Sequence, residues 1–165
     1  MAPIHRLTAT DLPRLRQFWR ERWGEEIMIA HGAEFGPENV SGFIALNGND
    51  WVGLVTFVFN ESECEIISLD SLTQNEGVGT ALVNAVAEEA RQLQCRRVFL
   101  STTNDNLRSL GFYQKRGFVL SALHSNAVEE TRKRKPSIPL IGENGIPLRD
   151  EIELEMALTP DPSPK

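Results

Sequence analysis

Thr73-Gln74-Asn75-Glu76-Gly77-Val78-Gly79-Thr80 lies between a β-branched run and a long amphipathic stretch, and it places two glycines two positions apart. Each glycine costs about 0.5–1 kcal/mol relative to alanine in a regular element, so the position calls for bare backbone. Successive backbone N–H groups at the start of a helix, with the helix dipole behind them, cradle a phosphate or pyrophosphate. That is the chemistry Gln74-x-x-Gly77-x-Gly79 offers; a structural turn with a glycine cap is the alternative. A Rossmann fingerprint needs a third glycine where Leu82 stands, and a P-loop needs a lysine that this stretch lacks.

Composition bounds what such a site can serve. The chain has 165 residues and a net charge of −6, which is close to the usual size of one domain. A single domain over residues 1–158 with a frayed tail over 159–165 is expected. The acidity argues against nonspecific binding of nucleic acid or anionic membrane, since both need a cationic face. No apolar run approaches the roughly eighteen residues that cross a bilayer, and the first residues carry no secretory h-region, so a cytoplasmic protein is expected. Cys64 and Cys95 stand outside any CxxC or Cys/His cluster; both are expected to be reduced and at least half buried, with no disulfide framework and no metal site. The basic run Arg132-Lys133-Arg134-Lys135 reads as a solvated helix end, where cations are favoured, with a phosphate-contacting patch as the alternative.

The elements that must position the glycine loop follow from periodicity. Ile4 to Thr8 reads as a strand, and Thr10-Asp11-Leu12-Pro13 opens a helix carrying Leu12, Leu15, Phe18 or Trp19, and Trp23 inward. The glycine-rich segment 24–40 reads as a loop with a short helix. Gly42 to Leu46 and Trp51 to Asn60 read as strands joined by a hairpin at Asn47-Gly48. Glu63 to Leu72 is a further strand, and the helix after the glycines places Val78, Leu82, Ala85, Val86 and Leu93 on one stripe. Arg97 to Thr102 then reads as strand, Asn106 to Arg116 as helix, Phe118 to Leu123 as strand and Asn126 to Lys135 as helix. A turn at Glu143-Asn144-Gly145 precedes a last alternating strand, Glu151 to Met156. Adjacent strands followed by strand and helix alternation predict a mixed sheet with helices on its faces.

Asn106-Leu107-Arg108-Ser109-Leu110-Gly111-Phe112-Tyr113, continuing to Gly117-Phe118, follows the strand after the glycine helix. Together with Gln74-x-x-Gly77-x-Gly79 it resembles the GNAT superfamily of acyl-CoA-dependent N-acyltransferases. The motifs span about residues 60–120, and the weaker element pattern covers most of residues 3–158. The resemblance implies an α/β (α+β) fold: a GNAT-like single domain with a mixed, mostly antiparallel sheet, helices on both faces and a splayed central strand pair. It implies acetyl-CoA as cofactor, its pantetheine arm bonding to backbone at Leu69, Asp70, Ser71 and Leu72. The pyrophosphate would be held by the amides of Gln74, Asn75, Glu76, Gly77, Val78, Gly79 and Thr80. Asn106 stands where the family's side chain reaches the cofactor and Tyr113 where its tyrosine lies near the sulfur. Ser109 replaces the usual alanine at a cofactor-facing position, and the segment before Gln74 is shorter than usual, which blurs which strand residue faces the acceptor.

Acyl transfer from a thioester to an amine needs a neutral nucleophile, stabilisation of the oxyanion and a proton for the leaving thiolate. Tyr113, the only tyrosine in the chain, is the expected general acid. Glu65 is the expected base, with Glu63 and Asp70 as rivals and His124 behind them; a backbone N–H near Leu69 or Asp70 is the expected oxyanion donor. Trp19 and Trp23 read as core packing, Glu25 and Glu26 as residues bordering an acceptor pocket, and His5 and His31 as surface histidines. The function implied is N-acetylation of a primary amine, on a small molecule or an exposed amino group. A catalytically silent acyl-CoA-binding module and acylation of a hydroxyl or an aminoacyl group are the alternatives. Oligomeric state stays open between monomer and homodimer, the latter with the last strand paired across the interface.

Overall fold

The computed structural model describes residues 2–30, 32–73 and 77–158. The expectations for Gln74, Asn75, Glu76, His31 and the tail from residue 159 lie outside these residues. The elements are β1 (Ile4–Arg6), α1 (Leu12–Trp23), β2 (Met28–Ala30), β3 (Ala33–Phe35), β4 (Ser41–Asn47), β5 (Asp50–Asn60), β6 (Glu63–Ser71), α2 (Val78–Gln92), β7 (Arg97–Thr103), α3 (Leu107–Lys115), β8 (Val119–His124), α4 (Ala127–Arg134) and β9 (Glu151–Ala157). Seven strands form a mostly antiparallel sheet in the order β1-β4-β5-β6-β7-β9-β8, and β2 pairs with β3. The short helix expected in the segment before β4 is the 3-10 helix Pro37–Asn39, while part of what reads as loop is the small strand pair of β2 and β3. Among the described residues no helix is long and apolar enough to cross a membrane. Among the described residues the contacts divide the chain into two compact units, one from residues 2–28, 34–73, 77–98 and 157–158 and the other from residues 29–30, 32–33 and 99–156.

In the first unit β4 and β5 form the hairpin expected from Asn47-Gly48, closing with Asn47 opposite Asp50. Leu15 and Trp19 of α1 pack on Ile44, Trp51 and Leu54, and each such side chain contributes roughly 1.5–3 kcal/mol by leaving water. α2 lies on the other side of β5. A Cβ added to Gly53 would stand 2.5 Å from Val78 Cγ1 and 3.0 Å from Leu82 Cδ1. Neighbouring strand residues point to opposite faces, so Gly53 and Leu54 show that α2 and α1 cover opposite faces of β5. The buried stripe of α2 runs through Val78, Leu82, Val83, Val86, Ala87 and Ala90.

Two inward assignments are corrected at helix ends. Leu93 is 58% exposed, because α2 stops at Gln92 and Leu93 lies in the turn beyond it. Trp23 is 53% exposed: it is the last residue of α1, and the left-handed Gly24 then turns the chain away.

In the second unit β8 and β9 are antiparallel, with His124 opposite Glu151 and Leu120 opposite Leu154. β9 has β7 on one side and β8 on the other, so its edges are already paired and it is not a strand open to a dimer partner. The long connection from α4 to β9 is pinned by polar side chains. Asn104 Oδ1 accepts the N–H groups of Arg149 and Asp150 at 3.0 and 2.9 Å, and Asp105 Oδ2 accepts that of Glu143 at 2.8 Å. Arg132 donates to the carbonyls of Ile138, Pro139 and Leu148 at 3.1, 2.9 and 2.9 Å. Arg132 is thus a structural clamp with a side chain only 13% exposed, while its neighbour Lys133 is solvated as expected.

Gly53 is the close approach that seats α2. Gly53→Ala should push Val78 and Leu82 off β5 and lower stability by about 1–3 kcal/mol, measured by urea denaturation; an unchanged midpoint would show that α2 does not rest there.

Candidate active site

α2 begins at Gly77, whose φ of 74° lies in the left-handed region and is cheap only for glycine. The Gly77 carbonyl accepts the Ala81 N–H at 3.0 Å, so the helix ladder starts at once. Glycine brings no capping side chain, and Val78 and Gly79 follow it as the first two residues of the helix, where backbone N–H groups point outward along the axis. Gly79 is buried within that turn, flanked by Val78, which packs on β5. This is a fixed helix start with bare backbone, the arrangement that suits an anion.

The strand leading into it, β6, presents two different edges. Leu72 N–H donates to the Val52 carbonyl at 2.9 Å, and Leu54 stands opposite Asp70. Backbone groups alternate along an antiparallel strand, so the Asp70 amide also faces β5, whereas those of Leu69 and Ser71 point away from it. Of the two residues expected to carry an oxyanion donor, only Leu69 has its amide on that far edge.

β6 also carries a bulge. Ser68 pairs with Thr56 and Ile66 with Phe57, which leaves Ile67 as the extra residue. A bulge re-aims side chains, and this one decides the site. Simple alternation separates Glu65 from Asp70, five residues apart, onto opposite faces. With Ile67 inserted, Glu65 stands opposite Val58, Ser68 opposite Thr56 and Asp70 opposite Leu54, all on the face that α1 covers. The buried polar residues Thr56, Glu65, Ser68 and Asp70 form one row there, joined at its middle by a 2.6 Å hydrogen bond between Thr56 Oγ1 and Ser68 Oγ. Thr56 and Ser68 were not picked out from the sequence; an apolar strand interrupted by hydroxyls at positions 56 and 68 was the available signal.

Asp70 is held rather than open. Its side chain is almost wholly buried, Arg22 Nε donates to Oδ1 at 3.3 Å and Trp23 Nε1 to Oδ2 at 3.4 Å. Burial pushes its carboxyl above the usual range, with the Arg22 charge and the indole N–H opposing it. Glu63 is ion-paired, and the hydrogen bond from Arg97 at 2.9 Å, with help from Arg96, keeps its carboxyl below the usual range. Glu26 is paired with Arg20. Cys64 and Cys95 are both buried; burial pushes the Cys64 thiol up to about 12, far from a nucleophilic thiolate.

The second unit holds the remaining predicted residues. Asn106 is the N-cap of α3, its Oδ1 accepting the Ser109 N–H at 3.1 Å, so part of the side chain expected to reach a cofactor serves the helix. Tyr113 is buried about two helical turns further on, between the rings of Phe112 and Phe118 at 5.1 and 5.3 Å. His124 lines a cavity of about 490 Å³ with Glu130, Thr131, Arg134 and Glu151.

The model of the acetyltransferase (GNAT) family matches residues 7–118. The chain belongs to the GNAT acetyltransferase family. It is 46% identical over 138 residues to the uncharacterized protein YxbD of Bacillus subtilis (strain 168), covering 83% of this chain and 87% of that one. It is 44% identical over 139 residues to the uncharacterized protein YdhI of the same organism, covering 84% and 87%. Among solved structures, a GNAT acetyltransferase from Elizabethkingia anophelis with acetyl-CoA bound superposes with a TM-score of 0.70 at 24% identity, over 94% of this chain and 97% of that one. That likeness is one of fold.

Removing Arg22 tests the buried pair. A carboxyl whose folded pKa lies above its unfolded value binds more protons when folded, so its contribution is present below the unfolded pKa and lost as pH rises through the folded one. Arg22→Met leaves burial of Asp70 less opposed and moves that loss further. Its urea midpoint should fall progressively below wild type as pH rises from about 4 to about 8; a constant difference across that range would contradict the pairing.

Proposed function

We propose that this GNAT-family chain is an N-acetyltransferase that moves the acetyl group of acetyl-CoA to a primary amine. The observation that carries the proposal is the join between β6 and α2 in one compact unit. A buried row with Glu65 and Asp70 on the strand leads into a left-handed glycine start of a helix seated on the same sheet. The residues fit the cofactor: the amides of Gly77, Val78, Gly79 and Thr80 suit a pyrophosphate, and the far-edge amides of Leu69 and Ser71 suit an extended amide-bearing arm. Gln74, Asn75, Glu76 and Leu72 complete the proposed cradle in sequence, with Asn106 and Ser109 as further contacts. Bound there, acetyl-CoA supplies an acetyl thioester.

The chain's own groups then handle protons and charge. Glu65 Oε takes the proton that an ammonium loses before its nitrogen attacks; an amine with pKa near 10 is only about one part in a thousand neutral at pH 7. Asp70 is a poorer base because both of its oxygens already accept hydrogen bonds, and Glu63 is held by two arginines. The Leu69 amide points away from β5 and would be the donor to the carbonyl oxygen of a bound thioester, the type of donor that contributes most when fixed beforehand. Tyr113 Oη holds the proton needed by the leaving sulfur; a phenol near pKa 10 is matched to a thiolate whose acid lies near 8.5. The packing of its ring between Phe112 and Phe118 fixes the direction of the hydroxyl.

Thiol release across a panel of amines tests the reaction. Tyr113→Phe should lower kcat by roughly one to two orders of magnitude with little change in cofactor affinity, the pattern of an interaction made only in the transition state. Glu65→Gln should lower kcat/KM by roughly two orders of magnitude or more, the loss expected when a positioned base is removed. Cofactor binding without thiol release above background for any amine would instead mark a silent binding module, and wild-type rates in both variants would overturn the assigned roles.

A further inference from the structure

Of the three tryptophans, Trp19 and Trp51 are buried in the core beneath α1, but Trp23 is 53% exposed. An exposed indole at a helix end ordinarily has rotamer freedom. This one does not: its Nε1 donates to Asp70 Oδ2 while the adjacent Arg22 Nε donates to Oδ1, at 3.4 and 3.3 Å. The carboxylate that accepts both is itself 3% exposed and belongs to the polar row of β6. A buried carboxylate thus fixes the plane of an aromatic ring whose remaining surface is open to water, next to the row assigned to the acceptor's proton.

We infer that Trp23 is an aromatic wall that recognises the ammonium group of the acceptor, with Asp70 as its positioning residue. The inference rests on the acetyltransferase reading and names the substrate class, a cationic alkylamine. The face of an indole attracts a cation and gives no such preference to a neutral group of the same shape. The guanidinium of Arg22 is matched by Asp70 and that of Arg20 by Glu26, so neither of these cations opposes an approaching ammonium group uncompensated. Asp70 therefore acts through Trp23, in a role different from the base that its position first suggests.

The test is binding without acetyl-CoA, followed by intrinsic tryptophan fluorescence, with Trp23→Phe giving the signal of Trp19 and Trp51 alone, and by calorimetry, using n-butylammonium, n-butanol and butyrate at constant ionic strength. The wild-type chain should show saturable quenching with butylammonium and none with butanol or butyrate. Trp23→Phe, which keeps a ring, should weaken calorimetric affinity by less than about threefold, and Trp23→Leu by about fivefold or more. In the reaction, Trp23→Leu should raise KM for butylamine and leave kcat near wild type. Equal binding of butanol, preference for butyrate, absence of saturable butylammonium binding, or unchanged affinity in folded Trp23→Leu would each overturn the inference. Because binding is read without cofactor, butylammonium captured through Trp23 with no thiol release would count against the reaction while supporting the wall.

Discussion

The seating of α2 on β5 through Gly53 is the contact on which the rest of the site depends. Strand and helix approach so closely that a single methyl group at position 53 would meet Val78 and Leu82. Val78 is the first residue of α2 and Leu82 stands one turn further on. The hydrophobic stripe of α2 therefore anchors the helix, and the left-handed Gly77 frees its start from any capping side chain. A helix start that drifted by an ångström would keep its dipole and lose its aim.

The opposite face of β5 and β6 shows how one irregularity converts a structural sheet into a candidate reaction centre. Thr56, Glu65, Ser68 and Asp70 are costly to bury, and a regular strand would have divided the carboxylates between the two faces. The extra residue Ile67 brings them into line. The resulting polar groups are satisfied in part by each other and in part by α1, whose last two residues hold Asp70. Helix α1 thereby links the apolar core, through Leu15 and Trp19, to the polar row, through Arg22 and Trp23.

Much of this was legible in the sequence, because the glycine pair, the Asn-Gly hairpin and the apolar stripe of α2 each have a local physical cause. What escaped was set by tertiary context. The bulge is invisible to pattern reading, since Ile66 and Ile67 are both apolar and alternation offers no sign of which is extra. Trp23 continues the 3.6-residue period of α1, yet the period ends where Gly24 adopts a left-handed conformation; Leu93 fails for the same reason at the end of α2. Arg132 reads as one of four basic residues, and only the distant carbonyls of Ile138, Pro139 and Leu148 distinguish it. The Met28–Ala30 and Ala33–Phe35 strands are too short for any period to show.

The central claim is that the fixed start of α2 holds the pyrophosphate of acetyl-CoA. The most direct measurement is calorimetric titration of acetyl-CoA into the wild-type chain and into Gly79→Val, with the fold of both confirmed by circular dichroism. The account predicts saturable binding to wild type, with stabilisation of about 2.7 kcal/mol at a hundredfold excess over Kd, and no detectable binding to a folded Gly79→Val, because the branched side chain fills the space where the backbone meets the phosphates. Equal affinity in the two proteins, or no heat and no stabilisation in wild type, would contradict it.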